Sequence, residues 1–393
     1  MLSNREIFFQ HMGLPSLNPL DLEIEKAEGI YLYGKDGEKY IDLVSGVAVS
    51  NIGHRHPEVI KRIQNQLDKY MHLMVYGEMI QSPQTQLAYK LKEFLPENLN
   101  STYFVNSGSE AIEGALKLAK RFTGRSEVIA FKNAYHGGTH GALSILGDER
   151  LKNAFRPLLP GIKFIEFNNF NHLNQITPKT ACVVVETVQA EAGIILPKAG
   201  FLQALREKCT ETGTLLVIDD IQMGFGRTGS LFSFENFGIV PDILTLAKAM
   251  GGGMPIGAFI SSQEIMRSLT NKPELGHITT FGGHPVACAA ALANLDVITK
   301  ESIYKQAEKK GLIYKNELIK HPLVTEVRQK GLMLGVDIKG DVFKLVRVFL
   351  RNGLITDPFL FRANAFRIAP PLTISEDEIT ESINLIWQSL SEL

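Results

Sequence analysis

The sequence predicts an α/β protein with a large, mostly parallel sheet and a second, smaller α+β domain. Between about residues 100 and 265, short β-branched apolar runs alternate with turns and with segments of helical period. Several of these runs are apolar at nearly every position, which is typical of strands covered by helices on both faces. From about Leu295 the pattern changes to a long helical segment followed by short strand-like pieces. We therefore expect an N-terminal segment (1–50) packed with the small domain, a large domain (51–294) and a small domain (295–393).

The individual elements follow from the same patterns. The strands expected in the large domain are Ser101–Val105, Val128–Phe131, Ala181–Val185, Thr214–Ile218, Ile243–Leu246 and Gly257–Ile260. Apolar residues at spacings of three and four predict a helix over Ser109–Phe122, with Gly124 as its stop. The elements expected outside the large domain are strands Ile30–Tyr33 and Lys39–Leu43 around the turn Lys35-Asp36-Gly37, a helix over about Asp296–Lys320, and strands Val324–Val327 and Leu332–Ile338.

Composition excludes several classes of protein. The chain has 393 residues, 45% hydrophobic and 21% charged, which excludes a disordered or collagen-like chain. A formal net charge of −1 gives no basic surplus for general nucleic-acid binding. The cysteines Cys182, Cys209 and Cys288 are odd in number and far apart, which favours a reducing, cytoplasmic compartment. No signal peptide and no apolar run long enough to span a membrane can be drawn, so we expect no membrane partner.

The segment Thr214–Ser230 delivers two carboxylates, Asp219 and Asp220, at the end of an apolar strand. Acids at a strand end face a cleft in an open α/β sheet, although they also serve as turn or capping residues. The same segment contains GFGRTG, which matches a dinucleotide-binding pattern and would suggest an oxidoreductase. We reject that function because Asp219–Met223 separate the strand from the glycines and no helical pattern follows.

Lys248 lies between an apolar strand and Gly251-Gly252-Gly253. Most lysines are solvated, but a lysine in this position is partly desolvated, which lowers its pKa and suits Schiff-base chemistry. The glycines let a backbone approach a ligand closely, or simply form a turn.

Ser107-Gly108-Ser109 stands where the first predicted helix begins. Helix N-termini bind phosphate, although serine caps without a ligand are common. Taken together, the phosphate site, the strand-end aspartate and the lysine match a cofactor with a phosphate, a basic ring nitrogen and an aldehyde. Pyridoxal 5′-phosphate has all three groups.

The chain resembles the class III (ornithine/acetylornithine/ω-amino acid type) pyridoxal-phosphate-dependent aminotransferases along nearly its whole length. The segments that carry the resemblance, in order, are AEGIYLYGKDGEKYIDLVSG, GHRHPEV, NSGSEAIEGALKLAK, YHGGTHGAL, VVVETVQAEAGIILP, IDDIQMGFGRTG, LAKAMGGGMPIGA, TTFGGHPVACAAAL and FRIAPPL. The resemblance implies the fold type I of these enzymes. It also implies a ping-pong reaction that moves an amino group from an ω-amine or amino acid to a 2-oxo acid such as pyruvate or 2-oxoglutarate.

The resemblance assigns the catalytic roles residue by residue. Lys248 would bind the cofactor and shuttle the proton, while Asp219 would pair with the pyridine nitrogen and Gln222 with the phenolic oxygen. Thr280 would hold the phosphate of the other subunit's cofactor, which implies a homodimer with shared active sites. The remaining cofactor contacts that it implies are Ser107, Gly108 and Ser109 at the phosphate, Tyr135 on the ring face, His136 and Glu186.

Substrate recognition would depend on Arg367, which matches the family's carboxylate-binding arginine, and on Glu191, which matches the glutamate that pairs with it. An arginine that is alternately neutralised by Glu191 and freed would let one pocket take both an ω-amine and a 2-oxo acid. Gly138 stands where many members have an arginine for a second carboxylate, which counts against N-acetylornithine and 4-aminobutyrate.

Several alternatives stay open at this point. The acetylornithine, ornithine and 4-aminobutyrate aminotransferases, and less so an aminomutase of the same fold, remain candidates. Asp220, Thr187 and His284 also depart from the usual family residues, and His284 could alter the entrance. His54 and His56 lack further ligands at a useful spacing, so no metal site is expected.

Overall fold

The computed structural model describes residues 2–35, 37–75 and 77–393. The expected turn at Lys35-Asp36-Gly37 therefore includes one residue, Asp36, that lies outside the described residues. The strands are β1 (Ile24–Glu28), β2 (Tyr31–Gly34), β3 (Lys39–Asp42), β4 (Ser101–Val105), β5 (Glu127–Phe131), β6 (Ile162–Ile165), β7 (Thr180–Glu186), β8 (Leu215–Asp219), β9 (Ile243–Leu246), β10 (Gly257–Ser261), β11 (Val324–Lys330), β12 (Met333–Ile338), β13 (Leu354–Ile355) and β14 (Ala365–Ile368).

Helices cover the sheets and connect them. They are α1 (Asn4–His11), α2 (Ser45–Ala48), α3 (Pro57–Leu67), α4 (Ser82–Phe94), α5 (Gly108–Thr123), α6 (His140–Ser144), α7 (Phe201–Thr212), α8 (Gln263–Met266), α9 (Pro285–Lys300), α10 (Ala307–Leu318), α11 (Val342–Arg351) and α12 (Glu376–Ser391). Among the described residues, no helix is both long and apolar enough to cross a bilayer.

The large sheet confirms the predicted fold class. Its strand order is β4-β10-β9-β8-β7-β5-β6, with parallel pairing from β9 to β6 and antiparallel pairing of β10 to both of its neighbours. Every residue of β7, β8, β9 and β10 is buried, as expected for strands covered on both faces. The edge strand β6 was not predicted from the sequence.

Helix α5 begins and ends at residues whose chemistry favours a helix boundary. The Ser107 hydroxyl accepts a hydrogen bond from the Glu110 amide (3.2 Å), and Gly124 ends the helix with a φ of 69°. The helix is one residue longer at each end than the predicted Ser109–Phe122. Its first turn therefore lies directly after β4, at the carboxyl end of the large sheet.

The single long helix expected over about Asp296–Lys320 is wrong. The structure has two helices, α9 and α10, which are separated by a short 3-10 turn over Ile303–Gln306. Ser302 has a φ of 50°, a left-handed conformation that cannot continue an α-helix. Helix α9 also begins earlier than expected, at Pro285.

Apolar residues from the two ends of the chain share one core. Ile30, Ile41 and Leu43 belong to the same buried cluster as Leu345 and Ile386. The parallel pairing of β13 with β3 joins the same two regions through their backbones. The domain boundaries after residues 50 and 294 stay a prediction, and the second of them falls inside α9.

Candidate active site

Polar residues from four segments meet at the carboxyl end of the large sheet. Glu186 and Asp219 are the last residues of β7 and β8 and are direct cross-strand partners. Lys248 follows β9, and Ser107 follows β4. These residues line a cavity of about 440 Å³, as the geometry of open α/β sheets predicts.

Lys248 brings an amine to the wall of this cavity. Burial lowers the pKa of Lys248 below its ordinary value, although Glu191 and Asp219 partly oppose that shift through their negative charges. Its backbone has a φ of 47°, a left-handed conformation that costs a side chain about 1 kcal/mol or more. The site thus holds a strained, partly desolvated lysine whose neutral form is the nucleophile.

Asp219 is held by a buried histidine. Its Oδ2 lies 2.7 Å from His136 Nδ1, and its Oδ1 accepts a hydrogen bond from the Ile221 amide (3.1 Å). Burial would lower the pKa of His136, but the hydrogen bond and the charge of Asp219 outweigh burial and raise it. A carboxylate against an imidazolium keeps its negative charge in a dry environment.

Glu186 is a second carboxylate in the same corner of the cavity. It accepts hydrogen bonds from the amides of Tyr135 (3.3 Å) and Ala190 (3.1 Å). Burial is the main reason why the pKa of Glu186 is raised to about 8. At neutral pH we therefore expect Glu186 to be protonated.

The beginning of α5 forms the opposite end of the cavity. Ser107, Gly108 and Ser109 all line it, and the Ser109 hydroxyl accepts a hydrogen bond from the Gly138 amide (3.1 Å). A Cβ on Gly137 would lie 2.1 Å from Ser109 Oγ, so the close approach of these two loops requires glycine. Amides and hydroxyls at a helix N-terminus form a site for a phosphate.

Arg367 lies behind Glu191 rather than on the cavity wall. Its Nη2 donates to both carboxylate oxygens of Glu191 (2.8 and 3.0 Å), and its Nη1 donates to Gln222 Oε1 (3.0 Å). Arg367 is 1% exposed, whereas Glu191 and Gln222 both line the cavity. A carboxylate that enters from the cavity must therefore displace Glu191 before it reaches the guanidinium.

One predicted cofactor residue lies away from the cavity of its own chain. Thr280 is exposed and does not line the cavity, unlike the other predicted site residues on the cavity wall. Its neighbour Thr279 instead accepts a hydrogen bond from the Asn106 side chain (3.2 Å). His54, which was considered as a metal ligand, pairs with the buried Asp42 (2.8 Å).

Sequence reasoning missed apolar parts of the wall and one carboxylate. Val49, Met254 and Ile256 line the cavity, but nothing in their local pattern distinguishes them from core residues. Asp357 lies beside Arg367, with 3.3 Å between Oδ1 and Nε. Its signal in the sequence was an acid two positions after the short apolar strand β13, at a strand end as Asp219 is at the end of β8.

The residues present fit pyridoxal phosphate. His136 Nε2 is buried and has no hydrogen-bond partner among residues 2–35, 37–75 and 77–393, while Nδ1 of the same ring contacts Asp219. The cavity combines an amine, a buried carboxylate backed by a cation, and a helix N-terminus. These are the groups that an aldehyde, a ring nitrogen and a phosphate require.

The sequence is similar to those of known proteins along nearly its whole length. The family model for class-III aminotransferases matches residues 14–390. The chain is 39% identical over 378 residues to the acetylornithine aminotransferase of Methanopyrus kandleri, which covers 95% of each chain. It is 37% identical over 378 residues to the LysW-aminoadipate semialdehyde/glutamate semialdehyde transaminase of Sulfolobus acidocaldarius, again with 95% of each covered.

Solved structures agree with the sequence relatives. The ornithine aminotransferase from Toxoplasma gondii superposes with a TM-score of 0.92 at 29% identity, covering 100% of this chain and 96% of that one. An amine transaminase from an uncultivated Pseudomonas species, solved in its PLP-bound form, gives a TM-score of 0.89 at 28% identity and covers 98% of both. This chain belongs to the class-III aminotransferases and is a pyridoxal-phosphate-dependent aminotransferase of fold type I.

Proposed function

We propose that this aminotransferase uses amine donors that carry no second carboxylate, and that it passes their amino group to a 2-oxo acid. The observation that carries the proposal is Gly138. A Cβ built on Gly138 meets no atom within 4 Å, so the position is open. Lys248 is the only basic side chain other than His136 among the described residues that line the cavity. Nothing else on this wall therefore supplies a cation for a carboxylate at the far end of a donor.

Lys248 and Asp219 would carry the chemistry common to all substrates. When bound, pyridoxal phosphate accepts the donor's nitrogen and draws electrons into its protonated ring. Lys248 Nζ would hold the cofactor and move the proton of the donor's amine-bearing carbon. Asp219, oriented by His136 Nδ1, would keep a negative charge against the ring nitrogen. Ser109 and the first amides of α5 would bind the phosphate.

The remaining predicted contacts would fix the position of the ring. Tyr135 lines the cavity from the loop after β5, where it would cover one ring face. Gln222 would hydrogen-bond the phenolic oxygen, although its Oε1 accepts a bond from Arg367 at present. Its amide nitrogen lies 3.4 Å from Glu191, a weak contact that leaves it able to turn toward the cavity.

Arg367 and Glu191 would let the two substrates of a ping-pong reaction share one pocket. While an uncharged or cationic donor side chain occupies the pocket, Glu191 neutralises Arg367, as in the structure. When a 2-oxo acid enters, its carboxylate would replace Glu191 on Arg367 Nη2. The exchange leaves the buried guanidinium paired in both half-reactions, which avoids the cost of an unpaired buried charge.

A panel of donors tests the proposal. We expect simple ω-amines to bleach the cofactor's absorption band faster than N-acetylornithine does, with pyruvate or 2-oxoglutarate restoring it. Gly138→Arg should raise kcat/KM for N-acetylornithine at least about tenfold, because a bidentate arginine–carboxylate pair adds roughly 1.5–3 kcal/mol. Gly138→Leu adds bulk without charge and is the matched control.

Two results would contradict the proposal. Efficient turnover of N-acetylornithine by the unmodified enzyme would favour the activity named for its relatives over our proposal. Turnover of a single substrate without any separate 2-oxo acid would instead indicate an aminomutase.

We also propose a homodimer in which Thr280 completes the partner's site. Thr280 is exposed between Ile278 and Phe281, which are themselves 51% and 54% exposed, so this segment presents an apolar surface. A solution mass of one chain would contradict the proposal.

We further propose a reducing, cytoplasmic compartment, because Cys182, Cys209 and Cys288 are all free and buried. Cell fractionation tests that location.

A further inference from the structure

Asp357 brings a second carboxylate to Arg367. Its main-chain oxygen accepts a hydrogen bond from the Arg367 amide (2.9 Å), and Pro358 pairs with Phe366 of β14. This backbone pairing places the side chain of Asp357 next to the guanidinium, with Oδ1 3.3 Å from Nε. Both of these atoms are buried, and neither makes a hydrogen bond within the described part of the chain. Asp357 thus acts on Arg367 as a charge more than as a hydrogen-bond acceptor.

The partners of Arg367 fall into two groups. Glu191 and Gln222 line the cavity, so an entering substrate can displace them. Phe359, whose ring lies 4.9 Å from the guanidinium carbon, and Asp357 do not line it. A carboxylate that replaces Glu191 therefore meets an arginine that already has a counterion.

The charges of Arg367, Glu191 and Asp357 do not balance. Arg367 contributes one positive charge, while Glu191 and Asp357 contribute two negative charges when both are ionised. Lys248 also faces the two acids, but burial lowers its pKa and so disfavours its charged form. Glu191 is ionised at neutral pH, because Arg367 and Lys248 outweigh the effect of its burial and lower its pKa. An excess negative charge close to a partly dry cavity attracts cations and repels anions.

We propose that Asp357 determines specificity by favouring cationic amine donors over anionic 2-oxo acids. The inference rests on the proposed function, because it requires Arg367 to bind the carboxylate of the 2-oxo acid. Asp357 touches neither substrate in this scheme and acts through Arg367 and through its own charge.

The same geometry makes the preference depend on pH. Burial raises the pKa of Asp357 to about 6, with the charges of Glu191 and Asp42 adding to the increase. Arg367 and Lys248, which also face it, act in the opposite direction. As the pH falls through about 6, Asp357 takes up a proton and the excess negative charge disappears.

The test replaces this charge in the cofactor-loaded enzyme. In Asp357→Asn we expect the KM of the 2-oxo acid to fall about three- to tenfold and the KM of a simple ω-amine to rise by a similar factor, as expected for one nearby charge at partial screening. Calorimetry with glutarate, a dicarboxylate that cannot react, should show tighter binding by the same factor. Asp377→Asn removes an exposed acid elsewhere and should change none of these values.

Further variants separate a charge effect from a structural one. Asp357→Glu should restore the wild-type ratio of the two KM values. A merely structural role would shift both KM values in the same direction, and that result, or an unchanged glutarate affinity, would overturn the proposal.

If Asp357→Asn does not fold, Asp357→Ser removes the same charge. If neither variant folds, wild-type binding of ethanesulfonate, which stays ionised, should tighten as the pH falls through 6, and a constant affinity would overturn the proposal.

Arg367→Lys distinguishes a failure of the proposed role of Arg367 from a failure of the inference about Asp357. If this variant binds glutarate as tightly as the wild type, the proposed role of Arg367 fails and Asp357 loses its basis. If glutarate binding weakens in Arg367→Lys but does not respond to Asp357→Asn, only the inference about Asp357 fails.

Discussion

Two regions at one cavity differ in how their charged side chains are paired. The cofactor wall (Lys248, Asp219 and His136) pairs Asp219 with His136 within the wall itself and presents a lysine whose pKa is lowered by burial. The arginine cluster (Arg367, Glu191, Gln222 and Asp357) has its cation already paired and covered. On the proposed function, the first wall is preorganised to receive a ligand, whereas the second would exchange one of its own side chains for a ligand.

The difference follows from what each wall must bind. A resident cofactor is the same in every turnover, so fixed groups at strand ends suffice. In the proposed function, two substrates of different charge would alternate at the second wall, and a fixed, unpaired arginine would leave a buried charge uncompensated half of the time. The pairing of Arg367 with Glu191 supplies the missing counterion from the chain itself.

Lys248→Ala, at the cofactor wall, should reduce turnover more than any other single change. We expect turnover to fall at least about 10³-fold, because both the proposed attachment point of the cofactor and the proposed proton carrier are lost. The fold should persist, since the side chain ends in a cavity rather than in packed core. Steady-state rates and the circular dichroism spectrum measure the two parts of this prediction. Activity within tenfold of wild type would place the chemistry on another residue.

Glu191→Gln tests whether the arginine cluster really works by exchange. Removing the competing charge should lower the KM of the 2-oxo acid by about tenfold and raise that of an ω-amine, because Arg367 is then no longer neutralised from the cavity side. Initial-rate kinetics with each substrate varied in turn measures both values. Glu23→Gln, which removes an acid that does not line the cavity and pairs with Lys35, is the control. An unchanged ratio of ω-amine to α-amine activity would show that Glu191 does not gate the arginine.

Asp220→Asn tests the residues behind the cofactor wall through the stability of the fold rather than through the reaction rate. Asp220 lies behind the cofactor wall, fully buried, and burial raises its pKa from 3.8 to about 8. The folded state therefore holds a proton that the unfolded state releases between these two pH values, so its stabilising effect is lost as the pH rises through that window. The variant keeps the acceptor for the Ser233 amide (3.0 Å) and carries no titrating group.

We expect the melting temperature of Asp220→Asn, relative to wild type, to increase from pH 5.5 to pH 8. The underlying difference in unfolding free energy is on the order of 1 kcal/mol per pH unit. Differential scanning calorimetry of both proteins at several pH values measures it. Parallel pH profiles for the two proteins would mean that Asp220 is ionised throughout.

The cofactor wall could be predicted from the sequence because each of its groups is marked by the residues beside it in the chain. Lys248 and Asp219 each follow a strand that is apolar at nearly every position, and the parallel pairing of those strands brings them together. The predicted strands of the large sheet are confirmed for the same reason. Strand β6, which has only four residues and lies at the edge, gave no comparable pattern.

The arginine cluster depends on contacts that are distant in sequence. Glu191 and Arg367 are 176 positions apart, and only the family resemblance connected them. Asp357 had no family motif to mark it, and its role depends on the pairing of its backbone with β14. The break between α9 and α10 was missed because a single residue, Ser302, interrupts an otherwise continuous helical pattern. Thr280 does not line the cavity of its own chain, so its expected role depends on the proposed second subunit.

The attachment of the cofactor to Lys248 is the claim on which the account of this wall depends. Borohydride reduction of the protein loaded with pyridoxal phosphate, followed by proteolysis and mass spectrometry, locates that attachment directly. We predict a phosphopyridoxyl group on the peptide that contains Lys248 and no label in Lys248→Ala. A stable label on a different lysine, or none on a protein that shows the cofactor's absorption band, would contradict the account.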